Sequence, residues 1–167
     1  MKIILIGFMG SGKTTVGKEL AKRLGVKLID TDSLVIRASG RKSIKEIFQK
    51  DGEIRFRELE IEVAKEVAMR KEDLVVATGG GVVLNKIILD YLKKEGVVVY
   101  LEASFKEIAK RLEGFKDRPL FKNLKDARRL YLLRKILYRS YKDIKVFTNN
   151  KDINEIVDNI MKKIRIY

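Results

Sequence analysis

The 167-residue sequence contains no cysteine, no histidine and no tryptophan, and it has a single proline. Without cysteine there is no disulfide framework, no thiolate metal site and no thiol nucleophile. Without histidine there is no imidazole ligand for zinc or haem and no Ser-His-Asp relay. A bound metal must therefore take oxygen ligands, which selects a hard ion such as Mg2+. Catalytic proton transfer falls to Asp, Glu, Lys, Tyr or water. Long apolar runs are missing too. The longest uncharged stretches, 3–12 and 74–85, are broken by glycine and are far short of the ~20 apolar residues of a membrane helix. No charged-then-apolar leader opens the chain. The expectation is one soluble, cytoplasmic domain spanning 1–167, with no membrane partner.

Negative charge is also in short supply. Thirty-seven Lys and Arg against 23 Asp and Glu leave a net charge of +14, which favours anionic partners without choosing among them. Thirteen Lys and Arg but only four Asp and Glu lie between Phe105 and Lys142, so this one segment carries most of the excess. It is the feature that would favour a nucleotide-gated nucleic-acid binder. No RNA-recognition aromatic signature and no helix-turn-helix pattern accompany it, so no nucleic acid is expected.

What is present is an alternation of short β-branched runs with longer helical patterns. Ile3–Ile6, Val26–Ile29, Leu74–Ala77, Val97–Leu101 and Ile144–Phe147 read as strands. Val16, Leu20 and Leu24 recur at helical spacing before Gly25. Ile44 with Ile47 and Phe48 marks a short amphipathic helix, and Phe56, Leu59, Val63 and Val67 mark a longer one. The stripe Ile153, Ile156, Val157, Ile160, Met161 and Ile164 marks the last. The pattern predicts an α/β fold on a parallel sheet, with ligands beyond the carboxyl ends of the strands. The first three strands end at Gly7, Asp30 and Thr78.

Gly7–Thr14 reads G-x-x-x-x-G-K-T, with a strand before it and a helix after it. Its glycines let the backbone curl so that several N–H groups face phosphate oxygens, and the following helix adds its positive end. Lys13 would reach the β- and γ-phosphates, and Thr14 would offer its hydroxyl to Mg2+.

Three further clusters are suggestive but open. Asp30-Thr31-Asp32 either directs carboxylates toward a metal and a substrate hydroxyl or forms a turn with a helix N-cap. Gly79-Gly80-Gly81 is either a close approach of backbone to ligand or a flexible loop. Arg55 and Arg57 lie about 200° apart on a helix and cannot face one ligand together, and the pattern does not say which points inward. Arg118 stands beside the sole proline, Pro119, in the basic segment. A basic loop able to close over a triphosphate is what phosphoryl transfer without a partner-supplied arginine requires.

Taken in order, Gly7–Thr15, Leu28–Asp32, Phe48 with Asp51-Gly52-Glu53, Phe56-Arg57, Thr78–Gly81, Arg118-Pro119-Leu120 and Arg134 before Tyr138 resemble the shikimate kinases over Met1 to Lys163. These are small phosphate-loop kinases of the nucleoside-monophosphate kinase type. The resemblance implies a phosphate-loop NTPase fold with five parallel strands in the order 2-3-1-4-5. It also implies a substrate-binding segment near 33–60 and a mobile lid near 112–123. The implied reaction is Mg2+-dependent transfer of the ATP γ-phosphoryl group to the 3-hydroxyl of shikimate, by a monomer. The ATP side is Gly10, Ser11, Gly12, Lys13, Thr14 and Thr15, with Arg111 near the adenine and Arg118 neutralising the phosphoryl group. The metal side is Thr14, with Asp30 acting through water. The acceptor side is Asp32, which aims the hydroxyl, Arg57 and Arg134, which clamp the carboxylate, and the backbone wall Gly79, Gly80 and Gly81. Lys13, Asp32 and Arg118 are the implied catalytic residues. One departure stands out: residues 148–152, Thr-Asn-Asn-Lys-Asp, carry no proline where the family often has one. Other small-metabolite kinases share the phosphate loop, but they match Asp30, Asp32, Arg57 and the triple glycine less well.

Overall fold

The structure is a computed structural model, and it describes residues 1–113 and 123–165. Five strands, β1 (Lys2–Ile6), β2 (Lys27–Asp30), β3 (Leu74–Ala77), β4 (Gly96–Glu102) and β5 (Ile144–Phe147), form one sheet. It is parallel throughout, in the order β2-β3-β1-β4-β5, as the resemblance implied.

Side chains of β1 alternate between two apolar layers. Ile4 and Ile6 enter one, Ile3 and Leu5 the other, and all are buried. This is why the run reads as continuously apolar and not as alternating. The second layer is covered by α1 (Lys13–Leu24) and α8 (Ile153–Ile164), through Val16, Leu20, Ile156, Val157 and Ile160. The first is covered by a larger set: α2 (Thr31–Ser39), α3 (Ile44–Lys50), α4 (Gly52–Met69), α5 (Lys86–Lys93), α6 (Phe105–Leu112) and α7 (Leu124–Tyr141). The stripe Phe56, Leu59, Val63 and Val67 is the buried face of α4, as its spacing predicts.

Local chemistry sets the helix ends. Ser43, Asn85, Ser104 and Asn123 each accept a backbone N–H at a helix start. Asp152 and Glu155 close a reciprocal capping box on α8. Helices α2 to α4 occupy the stretch expected to bind substrate. The expected lid, 112–123, falls almost wholly on 114–122, and Arg118 with it lies outside the described residues. Among those residues no helix is long and apolar enough to cross a membrane.

Candidate active site

Strand β1 is the central strand of the sheet and is buried throughout, and its neighbours β3 and β4 lie on opposite sides of it. A chain leaving its carboxyl end therefore enters the crevice where the strand order reverses. That chain is the phosphate loop. Gly10 and Gly12 have φ of 75° and 94°, the left-handed region that side chains rarely adopt. Gly12 is also the N-cap of α1, with no side-chain cap and no acidic residue in the first turn. The positive end of that helix is thereby left for an anion. Lys13 Nζ donates to the carbonyls of Gly7 (2.8 Å) and Phe8 (3.1 Å), which folds the lysine back over the loop. The hydroxyl of Ser11 is buried with no hydrogen-bond partner among the described residues. Such an orphan suits a loop shaped to hold phosphate oxygens.

Strand β2 delivers the acidic cluster, in which Asp30 serves two neighbours. Its Oδ1 caps α2 by accepting the Ser33 N–H (3.1 Å), and its Oδ2 accepts the Thr14 hydroxyl (3.2 Å). Asp32 sits in the first turn of α2 and not at its cap. Its carboxylate lies against Gly79, so closely that a Cβ on that glycine would stand 2.5 Å from Oδ1. Between them Thr31, which no sequence pattern singles out, accepts the Gly79 N–H through its hydroxyl (3.2 Å). The glycine run is therefore a wall in close contact with α2 and not a slack loop.

The arginines divide cleanly. Arg55 faces solvent and pairs with Glu58 and Glu62. Arg57 turns inward, held by Glu60 (2.7 Å) and Glu53 (3.1 Å). Burial works against its charge, but these two carboxylates more than offset that and leave its pKa raised. Burial likewise pushes the Glu60 carboxyl up, against the pull of Arg57. Arg134 reaches the same place from α7. It is buried, its guanidinium lies over the Phe8 ring at 5.9 Å, and its Nε has no partner among the described residues. Burial and the nearby Arg57 hold its pKa below the ordinary arginine value. A point one bond from Gly81 Cα lies 3.4 Å from Arg57 Nη1 and 3.8 Å from Arg134 Nη2.

Most of these groups border one cavity of about 380 Å3; Arg57 is not in its lining and meets it only behind Gly81. Gly10, Gly12, Lys13, Thr14, Thr15, Asp30, Asp32, Gly80, Gly81 and Arg134 line it, together with Met9 and Thr78. Thr78, a strand end and part of one family mark in sequence, donates its hydroxyl to the Leu5 carbonyl (2.9 Å) and ties β3 to β1. Arg111 stands outside that lining, behind the phosphate loop. It pairs with Glu107 and donates to the carbonyl of Gly10 (3.3 Å) and to the hydroxyl (3.2 Å) and carbonyl (2.6 Å) of Thr148. In this chain Arg111 joins the phosphate loop to the start of the proline-free stretch. Glu60, the partner of Arg57, went unnoticed in sequence, although its spacing of three residues on a helix was a usable signal.

A family model described as shikimate kinase matches residues 9–165. A shikimate kinase of Sulfurihydrogenibium sp. is 42% identical over 164 residues, covering 98% of this chain and 97% of that protein. One from Synechococcus elongatus is 47% identical over 133 residues, covering 80% and 68%. Among solved structures, shikimate kinase from Acinetobacter baumannii in complex with shikimate superposes with a TM-score of 0.88 at 35% identity, covering 98% of this chain and 92% of that one. The Aquifex aeolicus enzyme gives 0.86 at 37% identity, covering 99% and 96%. Sequence kinship at this breadth and a shared fold agree with the site that the residues build on their own: this chain belongs to the shikimate kinase family.

Proposed function

We propose that the chain transfers the γ-phosphoryl group of ATP to the 3-hydroxyl of shikimate, and that it does so as a cytoplasmic monomer. The observation that carries this reading is the convergence of Arg57 and Arg134, from separate helices, beside Gly81. Two guanidiniums at one point on a cavity wall suit a carboxylate, each charge-assisted bond being worth ~1.5–3 kcal/mol. The unpartnered Nε of Arg134 is one donor such an acid would satisfy.

In this reading the loop amides and Lys13 grip the nucleotide phosphates. Asp32, braced against Gly79, aims the acceptor hydroxyl at the terminal phosphorus. A bond forms from that oxygen to phosphorus, the bond from phosphorus to the bridging oxygen of ADP breaks, and the hydroxyl proton leaves through Asp32 or water. A loose transition state asks for little deprotonation, so positioning and charge neutralisation do most of the catalysis. Arg118 is assigned to neutralise the phosphoryl oxygens. The Thr14 hydroxyl and the Asp30 carboxylate are hard oxygen donors 3.2 Å apart, and no group of three His, Cys, Asp or Glu suited to a metal occurs among the described residues. That donor set fits Mg2+, which keeps several waters and takes one or two protein oxygens plus phosphate. When bound, the ion supplies charge neutralisation at the phosphates. The test is ADP formation from ATP, with and without shikimate and with and without Mg2+, the product being read by phosphorus NMR. Shikimate-dependent formation of one phosphate ester is expected. Folded protein that yields none overturns the reading.

A further inference from the structure

Helix α7 presents a second residue to the acceptor wall. Tyr138 follows Arg134 by one helical turn, so the two share a face. Both donate to the same carbonyl oxygen, that of Gly80: the tyrosine hydroxyl at 2.5 Å and Arg134 Nη1 at 3.3 Å. The Tyr138 ring is fully buried and stacks on Tyr100 of β4, with centroids 5.2 Å apart and planes 22° from parallel. The hydroxyl is therefore fixed by the sheet and not by the mobile end of a long side chain. Burial raises the Tyr138 phenol above its ordinary pKa, against the pull of Arg134, so it remains a donor at neutral pH.

Among the described residues there is no cis peptide. In a trans peptide the carbonyl of Gly80 and the N–H of Gly81 point in opposite directions. With the carbonyl drawn toward α7, the Gly81 N–H faces away from α7, and no backbone carbonyl of the described residues accepts it. Both glycines line the cavity. This peptide unit lies between two residues without side chains, so little in its own covalent structure fixes its orientation. An outside tether has to.

We propose that Tyr138 is a positioning residue for the acceptor. Its hydroxyl orients the Gly80–Gly81 peptide so that the Gly81 N–H is offered to the substrate beside the arginine pair. This rests on the reading of the cavity as a shikimate site. It separates the hydroxyl, which orients the wall, from the ring, which packs the core.

Tyr138→Phe keeps the ring and removes only the donor. The shikimate KM should rise by about tenfold, the loss expected for one well-placed hydrogen bond. The ATP KM should stay within about twofold and the thermal midpoint should move little. A role confined to packing would instead lower the midpoint and raise both KM values together, and that result, or an unchanged shikimate KM, overturns the proposal. A measurement on the unaltered enzyme gives an independent check. The Gly81 amide resonance should shift on adding shikimate alone, and its failure to move while the Asp32 or Arg57 signals do would also overturn it. Failure here is distinct from failure of the functional reading. The latter shows as no shikimate-dependent ADP formation by the unaltered chain, whatever residue stands at 138.

Discussion

In the proposed reaction the acceptor geometry turns on Asp32 and Gly79, which lie against each other, and the two are readable from sequence to different degrees. Two acids spaced by one residue at a strand end suggested a site, but they equally suggested a cap. Asp30 is in fact both cap and partner of Thr14, because a carboxylate has two oxygens and can serve two neighbours. Asp32→Asn is expected to lower kcat by ~10²-fold or more, the scale of a lost acid–base or aiming group, with the ATP KM little changed. Steady-state kinetics at saturating ATP would show this. Gly79→Ala would force a Cβ to within 2.5 Å of the Asp32 carboxylate. The short aspartate must swing aside, so kcat should fall by about tenfold while the thermal midpoint changes less than it would for a core cavity. On the guanidinium side, Arg57→Ala should weaken shikimate binding by ~10²-fold, measured by calorimetry with ADP bound. Arg55→Ala, which removes only exposed pairs with Glu58 and Glu62, should leave it within about twofold. Helical periodicity could separate Arg55 from Arg57 but not rank them. Their ranking depends on where α4 docks, which is a tertiary fact.

At the scale of elements, α7 shows why a basic segment cannot be read as one thing. Its Lys125, Arg128 and Arg129 are exposed to solvent, while Arg134 from the same helix is buried in the site. The helix is also tied to the sheet by charge. Glu102, buried at the end of β4, faces Lys135 (3.1 Å) and Arg139 (2.7 Å) of α7 and Lys145 (3.8 Å) of β5. Burial alone would raise its pKa, but bonds to Lys135 and Arg139 outweigh this and leave it below the usual carboxylate range. A depressed carboxyl stabilises the fold above its unfolded pKa of about 4.3 and loses that contribution as pH falls through the lower folded value. Glu102→Gln should therefore lower the thermal midpoint at pH 7 by roughly 3–10 °C, from the ~1–3 kcal/mol of a partly exposed cluster deprived of its anion. The difference from the unaltered chain should shrink as melts are taken to pH 3. Nothing in the sequence pointed to Glu102, since its three cations come from elements that meet only in the folded sheet.

For the molecule as a whole, the strand–helix alternation was enough to give an α/β fold, and β1, β3 and β5 lie where the apolar runs placed them. Strand order came from the family resemblance and not from periodicity, because buried parallel strands look alike one at a time. Helices α2, α5, α6 and α7 went unmarked, the last despite its 18 residues, while the seven-residue α3 was found. The net charge of +14 has a consequence at this scale. Both proposed substrates are anions, so kcat/KM for each should fall several-fold between ~20 and ~300 mM NaCl as the field is screened. Initial rates at subsaturating substrate would show it. A flat salt response would confine the excess charge to solubility.

The strands also differ in how deeply they are set. The phosphate loop springs from β1, in which every residue is buried, whereas α2 leaves from β2, an edge strand with one buried residue in four. Local opening is easiest where few neighbours must part. Deuterium should therefore enter the amides of 27–50 well before those of 2–6, giving the enzyme a stiff grip on one reactant and a yielding berth for the other.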